Sequence, residues 1–149
     1  MTARDTYLPV LILLALLPFS GCSDKSASPG TAGLVGSTWH LTSLDNIKGV
    51  TTEVTDETFT ALFSDSGDVS GTASCNTYSA VYSSVGAGDL DIDSLSTTLV
   101  YCGEESLMDQ YYAALLAAYS YEISGSGLTI YFASQGKLRF ERQVIYTGS

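Results

Sequence analysis

One histidine (His40), three cysteines (Cys22, Cys75 and Cys102) and a run of alternating aspartates are the residues of this 149-residue chain whose chemistry could go beyond packing. A Ser-His-Asp or Cys-His site would have to use His40. It follows Trp39 in a short apolar-rich segment, so on a strand it points away from the tryptophan, towards solvent. The chain has no Gly-x-Ser-x-Gly elbow, Walker loop, dinucleotide-binding glycine fingerprint or His-Glu-x-x-His. The reading is therefore not an enzyme: no catalytic residue, metal site or cofactor is assigned. Asp89-Leu-Asp91-Ile-Asp93 copies the first half of an EF-hand loop, but the second half fails, with Ser94 where glycine is needed and Val100 where a bidentate glutamate is needed. Leu90 and Ile92 fall where an alternating strand buries side chains, which leaves the three carboxylates as a solvated acidic row. Glu104 and Glu105 stand just before or at the start of an expected helix, where its dipole favours negative charge. A set of tyrosines (Tyr78, Tyr82, Tyr101, Tyr111, Tyr112, Tyr119, Tyr121 and Tyr131) suits either an aromatic groove or ordinary packing with a wet hydroxyl, and spacing does not separate the two.

The amino terminus bears on the cysteines. Leu8 to Phe19 is apolar but, at about 12 residues, too short to cross ~30 Å of hydrocarbon as a helix, and it fits a signal-peptide core. It ends in Phe19-Ser20-Gly21-Cys22, which resembles the lipobox of bacterial lipoproteins, where the thiol is acylated (palmitate among the chains) and the peptide is cut before it. On that reading residues 1–21 are a signal peptide, Cys22 carries the lipid, residues 22–33 are a flexible Ser/Gly/Pro-containing tether, and residues 34–143 form the folded domain. Ser23 rather than Asp after the cysteine resembles sorting to the outer membrane, facing the periplasm. Cys75 and Cys102 remain, and an exported domain with two cysteines most simply makes one disulfide. Closing that loop restricts the unfolded chain by roughly 3.5 kcal/mol. The alternative, a reactive thiol pair, lacks both Cys-x-x-Cys spacing and flanking basic residues.

The formal charge of -10 and a pI near 4.1 give nucleic acid no electrostatic footprint and repel anionic headgroups. Fourteen glycines and ten tyrosines point to a mostly β chain. Strands are expected at Trp39–Leu44, Phe59–Phe63, Val69–Ser74, Tyr78–Tyr82, through Leu90 and Ile92, and again at Thr97–Tyr101. Ser106 and Asp109 resemble a capping box, and Leu107, Tyr111, Ala114, Leu115 and Ala118 recur at helical spacing, so about three turns of amphipathic helix are expected. A meander of Tyr119–Ile123, Leu128–Phe132 and Lys137–Arg142 follows. The fold class is mostly β (α+β), a curled or barrel-like antiparallel sheet with one helix against it, because twist and open edges penalise a flat sheet of this size.

Leu34-Val-Gly-Ser-Thr-Trp39-His-Leu41, Val69-Ser-Gly71-Thr-Ala-Ser-Cys75-Asn76-Thr-Tyr78, Leu90 to Thr97, Cys102, Met108, the helix to Leu115 and Leu128-Thr-Ile130 together resemble the META domain, typified by the heat-shock protein HslJ. The resemblance covers about Leu34 to Arg142. It implies a barrel-like fold with one packed helix, ties to heat or envelope stress, antibiotic tolerance and virulence, and no catalytic activity. The expected function is a non-enzymatic, stress-related binding or interaction module held at the membrane by its lipid, its partner an unidentified envelope protein. The alternative is a carrier or pilot-type binder of a lipid, small apolar ligand or apolar peptide in the barrel interior.

Overall fold

Apolar side chains at every second position build the sheet, and the computed structural model, which describes residues 33–143, places them on one inner face. The expected signal segment, Cys22 and the expected tether up to residue 32 lie outside the described residues. The strands are β1 (Thr38–Asp45), β2 (Thr51–Glu53), β3 (Thr60–Phe63), β4 (Asp68–Ala73), β5 (Asn76–Ser83) and β6 (Asp91–Thr97). Helix α1 (Met108–Leu116) precedes β7 (Ala118–Ser124), β8 (Gly127–Phe132) and β9 (Gly136–Arg142). All pairings between these strands are antiparallel, in the order β6-β5-β4-β3-β1-β9-β8-β7, with β2 on the outer part of β1. The sheet curls into a half-barrel, as its size demands. Its end strands approach where Leu90 N–H donates to the Tyr119 carbonyl (3.2 Å) and Tyr121 N–H to the Gly88 carbonyl (2.7 Å).

Trp39, Phe59, Phe63, Tyr111 and Phe140 fill the concave side, each at most 2% exposed. Trp39 also donates its indole N–H to the Leu34 carbonyl (3.0 Å), which holds the entering chain beside Phe63 at the end of β3. Helix α1 lays Tyr111, Ala114 and Leu115 into this core. Tyr111 packs on Phe59 (ring centroids 5.0 Å apart) and edge-on to Tyr78 and Phe140. Two buried hydroxyls then need partners. Tyr78 Oη donates to the Thr60 carbonyl (2.9 Å), Tyr111 Oη lies 3.2 Å from the same oxygen, and the two hydroxyls are 2.9 Å apart. Burial pushes both phenols up, so they act as neutral donors.

Three local expectations need correction. Thr97–Tyr101 is not a strand of its own: Thr97 ends β6 and residues 98–107 are irregular, because beyond Thr98 the Asn76 side chain rather than a neighbouring strand engages the Val100 backbone. The helix is shorter than the periodicity suggests, since Ala118 opens β7 and pairs with Phe132. The Ser106–Asp109 capping box does not form. Leu107 is the N-cap residue, and Glu57 reaches over instead, accepting from Ser106 Oγ (2.6 Å) and Leu107 N–H (3.0 Å).

A register shift between Leu41 and Ser43 puts Leu44 on the core face and leaves Asp45, though buried, on the opposite face at the far end of β1. Arg139 of β9 meets it with both terminal nitrogens at 2.7 Å, and Thr51 of β2 donates to the same carboxylate (2.7 Å). The Arg139 hydrogen bonds outweigh desolvation and hold Asp45 below its ordinary value of 3.8. The stabilisation is thus complete above that pH and fades as pH falls through the lowered value. Asp45→Asn is expected to cost about 1 kcal/mol near neutrality, the gap to the native chain closing below about pH 4 in urea titrations. A gap that stays constant into stronger acid would remove this pair from the account.

Gly71 lies directly against the Thr60 carbonyl: a Cβ there would sit 2.0 Å from that oxygen, which already serves both tyrosines. Gly71→Ala must push β3 away from β4 and is expected to lower unfolding free energy by about 1–3 kcal/mol, read from denaturation midpoints. An unchanged midpoint would mean the strands separate there without cost.

Candidate functional site

The Cys-Asn-x-Tyr block opens β5, and each of its named residues holds something outside the strand. The β4–β5 turn is Ser74-Cys75, with Ser74 in the left-handed region (φ 57°) between the paired Ala73 and Asn76. Cys75 is bonded to Cys102, as the sequence suggests, which pins the irregular segment beside this turn. Asn76 is 1% exposed and satisfies its buried amide mainly through that segment. Its Oδ1 accepts from Thr98 Oγ1 (2.7 Å) and Val100 N–H (2.8 Å), while Nδ2 donates to the Val100 carbonyl (2.8 Å) and faces the sulfurs of Cys102 and Met108 at 3.2 and 3.1 Å. Tyr78, two residues on, reaches the helix through the Thr60 and Tyr111 contacts.

Pinned on its inner side, the segment turns its large apolar side chains outward. Leu99 is 94% exposed, Tyr101 78% and Val100 55%. Two surface clefts flank it. One, of about 490 Å³, runs between Leu99–Tyr101 and the helix start at Met108, Asp109 and Tyr112; the other, of about 480 Å³, lies between Cys102–Leu107 and Thr52–Glu57. Among the described residues, no lysine or arginine lines either one, whereas Glu53, Asp56, Glu57, Glu104, Glu105 and Asp109 do. Burial raises the Glu57 carboxyl, but hydrogen bonds from Ser106, Ser74 and the Leu107 amide outweigh that and hold it below the usual range, so it stays charged at the helix start.

The other candidates are scattered. His40 is half-buried and shares a hydrogen bond with the Gln143 amide (3.0 Å) rather than with a carboxylate or thiol. Asp89, Asp91 and Asp93 are exposed while Leu90 and Ile92 are buried, the alternation read from the sequence. The tyrosines divide. Tyr78, Tyr82, Tyr111 and Tyr121 are buried, Tyr112 bonds Thr97 (2.6 Å), Tyr131 donates to Glu122 (3.0 Å), and Tyr101 and Tyr119 stand out in solvent. They form no common groove. Glu57 had no signal in the sequence, because the helix-start groups it binds lie about fifty residues further along the chain.

A family model described as the META domain matches residues 32–145. The chain belongs to the META domain family. No curated protein matches it. Two solved structures share the fold of this META domain. An NMR structure of a protein from Burkholderia xenovorans is 18% identical with a TM-score of 0.64, the match covering 86% of this chain and 99% of that one. A second NMR structure is 20% identical with a TM-score of 0.51, covering 70% and 87%.

Neither sulfur of the bridge should react before reduction. Thiol labelling of the folded domain at Cys75 and Cys102 is expected only after a reductant, and the Cys75→Ser/Cys102→Ser pair should lose about 2–4 kcal/mol of stability. Quantitative labelling without reductant would dismiss the bridge.

Proposed function

We propose that this META domain is the folded part of an HslJ-like, stress-related envelope lipoprotein that works by presenting a surface, without catalysis. The observation that carries the reading is the Leu99–Tyr101 segment, held out in water by a disulfide and a buried asparagine that are anchored in the sheet. Isolated apolar side chains on a surface are common, but three consecutive large ones fixed by two independent restraints suit contact with a partner. His40, the cysteine pair and the aspartate row sit apart, so they supply no nucleophile with a base and an orienting group. The concave side of the sheet is occupied by Trp39, Phe59, Tyr111 and Phe140, which favours an outer surface over an interior that carries lipid.

Membrane attachment rests on Phe19-Ser20-Gly21-Cys22. Acyl chains on Cys22, each CH₂ adding ~0.8 kcal/mol of membrane affinity, would keep the domain at the bilayer, while its net charge of -10 keeps its own surface from settling on anionic headgroups. Cys22→Ser is expected to move the protein from the membrane fraction to the soluble one and to abolish metabolic labelling with palmitate. Retention in the membrane fraction after that substitution would overturn the reading.

A further inference from the structure

The two clefts meet at Cys102–Ser106, so the exposed Leu99, Val100 and Tyr101 stand beside an acidic rim to which Glu104, Glu105 and Asp109 contribute. That pairing of an apolar tip with one sign of charge restricts what can cover it. A second copy of the chain would bring the same carboxylates against themselves, and anionic lipid or nucleic acid would be repelled. A neutral greasy ligand would cover the tip but leave the carboxylates unanswered. A peptide segment that alternates lysine or arginine with apolar side chains satisfies both: its apolar groups cover Leu99 and Tyr101 and enter the cleft over Met108 and Tyr112, and its cations meet Glu104, Glu105 and Asp109. The pinned backbone reduces the ordering cost of binding, because Asn76 and the Cys75–Cys102 bridge have already fixed it.

We infer that Leu99, Val100 and Tyr101, with the adjoining cleft and its acidic rim, are the docking site for a cationic, apolar peptide segment of a partner protein. The inference rests on the interaction-module reading and gives that module its surface and its partner's chemistry. The test uses the full chain purified in a non-ionic detergent, with protein-free micelles as the blank. The probe is a dye-labelled peptide of alternating lysine and leucine, followed by fluorescence anisotropy. Binding is expected for this peptide and not for its glutamate-leucine or lysine-serine counterparts. Leu99→Ser/Tyr101→Ser should weaken it about tenfold or more. Glu104→Gln/Glu105→Gln should weaken it about threefold and flatten its salt dependence. Val85→Ser, at an equally exposed residue outside both clefts, should bind like the native chain and serves as the folding control. Equal binding of the glutamate-leucine peptide, native-like binding by Leu99→Ser/Tyr101→Ser, no binding of the lysine-leucine peptide, or self-association abolished by that same pair would each overturn the site. Those outcomes are independent of the Cys22→Ser fractionation, so the docking site can fall while the membrane reading stands, and the reverse.

Discussion

Burying the Asn76 side chain is the constraint around which the site is organised. A primary amide taken out of water costs several kcal/mol unless its donors and acceptor are all engaged, and a strand's own ladder engages only main-chain groups. The chain meets this demand by wrapping residues 98–102 around the amide, so Val100 gives Asn76 both its N–H and its carbonyl as a strand partner would. The segment is therefore ordered without belonging to the sheet. The adjacent disulfide, whose Cys102 sulfur lies against the Asn76 amide, holds the same segment, and in the chain-entropy model its effect falls on the unfolded chain rather than on contacts in the folded one. One restraint is local and made in the folded state, the other acts chiefly on the unfolded chain, and they overlap on a handful of residues of an irregular loop.

The helix is joined to the sheet by a similar economy of polar groups. Tyr78 and Tyr111 share the Thr60 carbonyl, and Gly71 leaves that oxygen room. At the helix start, Glu57 does what a local capping residue does elsewhere, engaging Ser106 and the Leu107 amide across the surface. Because Glu57 leads into β3 and Tyr78 lies on β5, the helix is tied at both points to the half of the sheet that carries the pinned loop. Movement of the helix would thus be felt at Met108, whose sulfur lies against the Asn76 amide.

Much of the fold was legible because it rests on period-two burial. Phe59, Ala61 and Phe63, Leu90 and Ile92, and strands β8 and β9 alternate and lie as their alternation implies, whereas a register shift between Ala118 and Ser120 leaves Tyr119 of β7 in solvent. The disulfide was legible from cysteine number and the inferred compartment. What the pattern missed is what long-range polar contacts decide. Thr97–Tyr101 has strong β propensity, yet propensity yielded to Asn76 and the cysteine bridge. Strand β2 is exposed along its length and carries no burial signal; it exists because Thr51–Glu53 pairs with β1 beside the Asp45–Arg139 contact. The role of Glu57 depends on a partner so distant in sequence that no local motif encodes it.

An acidic protein with an apolar tip faces two opposing pressures. Exposed leucine and tyrosine invite association, and a flexible loop would relieve this by folding them inward at little cost. Here the route is closed, since the backbone at Val100 is committed to Asn76 and the side chains on either side of it have only the outward direction. The surrounding carboxylates supply the compensation. Like charges on every copy keep molecules apart at the tip, yet they attract a cationic partner from a Debye length away, which is how electrostatics contributes selectivity more than raw affinity. Rigidity and charge thus act on different steps of recognition: the restraints lower the entropy lost when the complex forms, and the acidic rim decides which molecule arrives to form it.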